Sequence, residues 1–83
     1  MYSINIRHLK YDEALIRLEK EVDTAFIQGH KKVEIIHGIS GGVLRKLTQE
    51  WAQNFPLIER IIPMQERVLY NPGSTVLELV DRY

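Results

Sequence analysis

A β-branched run, Lys32-Val33-Glu34-Ile35-Ile36-His37, ends in Gly38-Ile39-Ser40-Gly41-Gly42 and gives way to Leu44, Leu47, Trp51 and Phe55 at spacings of three and four. The first piece has the length and composition of a strand, expected to be well buried. The third has the period of an amphipathic helix that Pro56 stops. A strand turning through glycines into a helix constrains the chain to α/β architectures. The flanking segments agree. Ser3 to Arg7 alternates around Ile4 and Ile6, which predicts a short strand with one buried face. From Tyr11 to Gln28, Leu15, Leu18, Val22, Ala25 and Phe26 fall on one helical stripe, with Asp12 and Glu13 in the first turn and Gly29 as the stop. Leu57 to Ile62 predicts a third strand ended by Pro63, and Thr75 to Val80 a fourth. Between them, Glu66 to Tyr70 is expected to form an irregular arm leading into the turn Asn71-Pro72-Gly73-Ser74. The order is βαβαββ in a single domain over residues 1–83.

Composition narrows the function classes. With 45% apolar and 27% charged residues, the 83-residue chain is neither disordered nor collagen-like. No stretch has the length of a membrane span and no secretion signal opens the chain, so a cytoplasmic protein with no membrane partner is expected. The chain has no cysteine, which removes disulfides, thiolate zinc sites and thiol nucleophiles. Eleven basic residues balance eleven acidic ones, so any polyanion must be held by local charge arrangement rather than by net charge. The chain could be a complete small protein or a module of a larger one.

If the first two strands are parallel, their C-terminal ends share one sheet edge, where ligands of open α/β sheets bind. Arg7, His8 and Lys10 leave the first strand there, and His37 with the glycine turn leaves the second. Unpaired backbone N–H groups and the positive end of a helix dipole would face that volume, with Arg45 one turn on, and such an arrangement suits a phosphate oxygen. A tight β-to-α connection that needs glycine for geometry alone is the alternative. His37 can bind phosphate, carry a proton or hold the loop through its ring. Three histidines without paired spacing make no zinc site. His30, Lys31 and Lys32 belong at the opposite end of the sheet, Trp51 and Phe55 in the core, and Tyr70 and Tyr83 are the better candidates for base stacking.

Ile4-Asn5-Ile6-Arg7, Tyr11-Asp12-Glu13-Ala14-Leu15, Val33 through His37-Gly38, Gly42-Val43-Leu44-Arg45 and Thr75-Val76-Leu77-Glu78-Leu79 together resemble the Smr (small MutS-related) domain family. The resemblance implies a two-layer α/β sandwich with a four-stranded mixed sheet and two helices, similar to the C-terminal domain of translation initiation factor three. It also implies a domain that binds DNA or RNA and in several members nicks or cleaves it. The family's first motif is Leu-Asp-Leu-His-Gly or Leu-Asp-Leu-Arg-Gly. Here Asn5 stands at its carboxylate position, Arg7 matches the arginine branch and His8 replaces its glycine. Ser40 takes the middle glycine of the second motif, His-Gly-x-Gly-x-Gly, Lys10 replaces the usual helix-capping threonine, and Asn71-Pro72-Gly73-Ser74 replaces a glycine-rich approach to the last strand.

On this reading phosphate lies on Gly38, Ser40, Gly41 and Gly42, with Arg7, His37, Arg45, Lys10 and His8 around it. If the domain cleaves branched or structured DNA or RNA, Arg7 and His37 are the catalytic candidates, with Mg²⁺ or Mn²⁺ arriving with substrate and no resident metal site. Asn5 argues against that step because an amide is no general base. The rival expectation is a non-catalytic protein-interaction or ribosome-associated module, alone or within a larger multidomain protein.

Overall fold

The computed structural model describes residues 1–39, 42–68 and 71–82. Strands β1 (Tyr2–Asn5), β2 (Lys32–Ile36), β3 (Ile58–Ile61) and β4 (Ser74–Leu79) form one sheet, with helices α1 (Tyr11–Ile27) and α2 (Val43–Asn54) and a 3₁₀ turn at Met64–Glu66. The strand order is β1-β2-β4-β3. β1 pairs with β2 in parallel, Ile4 opposite Ile35, whereas β4 runs antiparallel to both β2 and β3. The last strand is therefore inserted between the second and third, a swap that residue periodicity alone does not reveal.

Alternation along the strands builds the core. Ile4, Ile6, Val33, Ile35 and Leu77 are fully buried, and they meet Ala14, Leu18, Val22 and Ala25 of α1 and Leu47 and Ala52 of α2 in one cluster. Each such aliphatic side chain larger than alanine contributes about 1.5–3 kcal/mol by leaving water. Both helices thus cover one sheet face, as a two-layer sandwich requires. β2 departs from the expected uniform burial: Val33 and Ile35 are enclosed, while Lys32 is exposed and Glu34 and Ile36 are half-buried. The cause is that helices lie on one side of the sheet only. Residues 63–68 and 71–73 come over part of the other side, pinned by Arg60, whose guanidinium pairs with Glu66 at 2.8 Å and Glu78 at 2.9 Å.

Local chemistry ends the helices as expected. Gly29 has φ of 87°, its N–H bonds Phe26 O and the next N–H, of His30, reaches back to Ala25 O, closing α1 in a left-handed cap. At the other end of α1, Glu13 Oε1 accepts the Lys10 N–H at 3.0 Å. A lysine side chain offers no acceptor in return, so this is half of a capping box. Trp51 and Phe55 stack at 4.7 Å against the core, in line with a packing role.

Candidate nucleic-acid interface

The site is built from the two connections that leave β1 and β2 at the same sheet edge. After Asn5 the chain turns sharply: the Asn5 side-chain oxygen accepts the Arg7 N–H at 2.9 Å, Leu9 N–H returns to Ile6 O, and His8 takes φ of 67°. A side chain is strained in that left-handed backbone, which glycine would adopt freely. Asn5 acts as a turn former through an oxygen that asparagine and aspartate both possess. Arg7, His8 and Lys10 are all exposed on this connection.

The β2 connection begins with a buried His37 that is 5% exposed. Its Nδ1 lies 2.9 Å from Gly38 O and its Nε2 2.9 Å from Thr75 Oγ1. A carbonyl only accepts, so Nδ1–H donates to Gly38 O, and in the neutral ring Nε2 then accepts from the Thr75 hydroxyl. Burial pushes the His37 pKa below its usual 6.5; the Gly38 carbonyl opposes this, and the charges of Arg45 and Arg67 add to the lowering. The next residues are held from β4. Gly73 O accepts the N–H groups of both His37 and Gly38 at 2.9 Å.

Gly38 has φ of +86°, and a β-carbon there would lie 3.4 Å from Arg7 Nε. The arginine thus rests on the glycine turn, and the two connections meet as the parallel pairing demands. Gly42, at φ of +71°, opens α2 with its carbonyl accepting the Lys46 N–H. Arg45 is exposed on the first turn of α2. Among the described residues neither Arg7 nor Arg45 has an ion-pair partner, so both guanidinium charges are available at this edge. His37 sits behind them with both ring nitrogens engaged. Ser40 and Gly41, and the stacking candidates Tyr70 and Tyr83, lie outside the described residues. His30 and Lys31 lie with Arg82 in a cleft at the far end of the sheet. Among the described residues no three His, Asp or Glu side chains gather to hold a metal ion.

Arg67 escaped the sequence reading. It sits in the irregular segment before β4, yet its side chain is only 6% exposed. It donates to Ser74 O at 3.2 Å and Ser74 Oγ at 2.8 Å, and that hydroxyl donates to Glu34 at 2.8 Å. A lone arginine in a polar loop carries no periodic signal of burial. Its one clue is the serine and backbone acceptors that close the adjacent turn.

A small mixed sheet under two helices, with an arginine from one strand end resting on the glycine turn of the next, defines an α/β domain that presents cationic side chains along a single edge. The family model for the Smr domain matches residues 4–79, and the chain belongs to that family. Endonuclease MutS2 of Geobacillus sp. (strain WCH70) is 44% identical over 76 residues. Endonuclease MutS2 of Shouchella clausii (strain KSM-K16) is 37% identical over 78. Each comparison takes in 92% of this chain and 10% of the relative, so the chain spans about a tenth of the length of these curated relatives, in which the domain is one part of a larger protein. The crystal structure of the Smr domain of Thermus thermophilus MutS2 has the same fold, with a TM-score of 0.83 at 24% identity over 96% of this chain and 99% of that one. No described helix is long and apolar enough to cross a membrane.

Proposed function

We propose that this domain binds the sugar–phosphate backbone of DNA or RNA, with a phosphate seated beside Arg7 and Gly38 and further charge from Arg45, Lys10 and His8. The observation that carries the reading is the placement of the Arg7 guanidinium on Gly38, next to a turn that opens a helix. Charge-assisted hydrogen bonds of this kind fix a backbone without reading bases. A neutral chain that binds this way depends on local contacts, so its affinity falls with salt in proportion to the phosphates engaged. The test is a fluorescence-anisotropy titration of a short DNA hairpin and the RNA hairpin of the same sequence at several salt concentrations. Salt-dependent binding, with a log–log slope that drops by about 0.7–0.9 in Arg7→Ala, is the expected result. Absence of binding at low salt would overturn the backbone-binding reading.

Phosphodiester cleavage is a second reading, favoured by the name endonuclease borne by the relatives. In it a water oxygen bonds to phosphorus as the ester P–O bond breaks, the water's proton passes through solvent to the leaving oxygen, and Arg7 stabilises the charge gathering on the phosphoryl oxygens. His37, with both ring nitrogens engaged, serves by fixing the turn on which the phosphate lies. Supercoiled plasmid and structured RNA incubated with the domain, with and without Mg²⁺ or Mn²⁺, distinguish the readings; unchanged substrates leave a binder.

A further inference from the structure

Beyond Gly38, on the side away from Arg7, a cleft of about 170 Å³ opens between the start of α2 and the chain that follows β3. Arg45 and Gln49 line it from α2, Met64 from the 3₁₀ turn, Arg67 and Pro72 from the approach to β4, and Thr75 from β4 itself. Two arginines line this cleft and no carboxylate does. Four other surface clefts each include at least one aspartate or glutamate. Arg67 is buried, its Nε has no hydrogen-bond partner among the described residues, and its carboxylate neighbour Glu34 lies 3.6 Å away. The cleft wall thus gathers guanidinium charge with no carboxylate in its lining, the local chemistry that suits an anion.

The cleft and the Arg7 seat lie on the same sheet edge. Thr75 binds His37 from the cleft side, while Arg7 leans on Gly38 from the other. In the order β1-β2-β4-β3, Arg7 follows the first strand and the cleft borders the last two. With strands about 4.8 Å apart, the two positions are separated by roughly 10–14 Å. One phosphate group cannot touch both; a strand with successive phosphates can.

We infer that the Arg45–Gln49–Arg67 cleft is a second phosphate subsite, and that a single nucleic-acid strand crosses the ends of the sheet from Arg7 over Gly38 into it. This rests on the backbone-binding reading and adds the direction in which the strand runs. Gln49 is the informative position, because its half-buried side chain lines the cleft and it has no part in the Arg7 seat.

The experiment uses the same DNA and RNA hairpins with Gln49→Glu and Gln49→Lys, each checked for an unchanged thermal melt. Gln49→Glu is expected to weaken binding and flatten the salt slope, and Gln49→Lys to tighten binding and steepen the slope by about 0.7–0.9, the value of one additional phosphate contact. If Gln49→Glu and Gln49→Lys both bind like the parent while Arg7→Ala is weakened, the second subsite is overturned and the seat at Gly38 stands. If Arg7→Ala also binds like the parent, the backbone-binding reading itself fails. Using both charges keeps the test decisive should one variant fold poorly.

Discussion

Gly38→Ala joins the backbone and the ligand seat in one experiment. At φ of +86° an L side chain occupies the left-handed region, which costs about 1–2 kcal/mol. The lower entropy of an alanine in the unfolded chain offsets about 0.4–1 kcal/mol of that cost, and at a left-handed site the strain dominates. The new methyl would meet Arg7 Nε at 3.4 Å and Cγ at 3.7 Å, ordinary contact distances to a flexible side chain, so little further strain arises. The net loss is about 1 kcal/mol. With a urea dependence near 1 kcal/mol/M for so small a chain, the unfolding midpoint should fall by about 1 M. Gly42→Ala, at φ of +71° with open space around its β-carbon, should lose a similar amount. The two variants part on hairpin binding. The alanine methyl at 38 occupies the volume beside the guanidinium where a phosphate oxygen would lie, and removes about tenfold in affinity, the low end for one charge-assisted hydrogen bond. At 42 affinity stays near that of the parent. In an Arg7→Ala background the penalty at 38 should vanish, as a double-mutant cycle would show. Unaltered stability in Gly38→Ala refutes the strain argument, and equal affinity losses at 38 and 42 refute the Arg7–Gly38 seat.

Two further outcomes follow from groups already described. Folding holds His37 neutral with a pKa below its unfolded value, so below about pH 6.5 the unfolded chain binds the extra proton. Stability should therefore fall as pH drops from there toward the folded pKa, and His37→Asn should flatten melting temperature between pH 5 and 7 relative to the parent; parallel curves would exclude the neutral ring. His8→Gly relieves a left-handed φ of 67°, and should raise stability by about 0.5–1 kcal/mol after the entropy that glycine loses on folding. A urea midpoint that fails to rise would contradict the turn geometry.

Element positions were readable in the sequence because each carries its own period or stop. Leu18, Val22 and Ala25 announce the buried stripe of α1, Gly29 and Pro56 end the helices, and Ile4 and Ile6 mark the inner face of β1. The meeting of Arg7 with the glycine turn was readable as well, since it follows from parallel pairing of β1 and β2. What could not be read was pairwise and long-range. Nothing local in Thr75 to Val80 says that this strand lies between β2 and β3. The two hydrogen bonds that occupy His37 depend on that placement, because Thr75 reaches the ring only from the adjacent strand. Arg67 was missed for the same reason: its partners Ser74 and Glu34 come together only after β4 has paired with β2.

Gly73 and Thr75 hold His37 and Gly38 across more than thirty intervening residues. In chain order, the rear wall of the proposed seat is supplied by residues 73–75, which follow β1, β2 and both helices. A nascent or truncated form ending before residue 73 would keep both arginines and much of the glycine motif and still lack the arrangement that makes them useful. Competence for the proposed binding is thus tied to completion of the whole sheet, and because β4 lies between β2 and β3, loosening it would open the sheet and the proposed seat together.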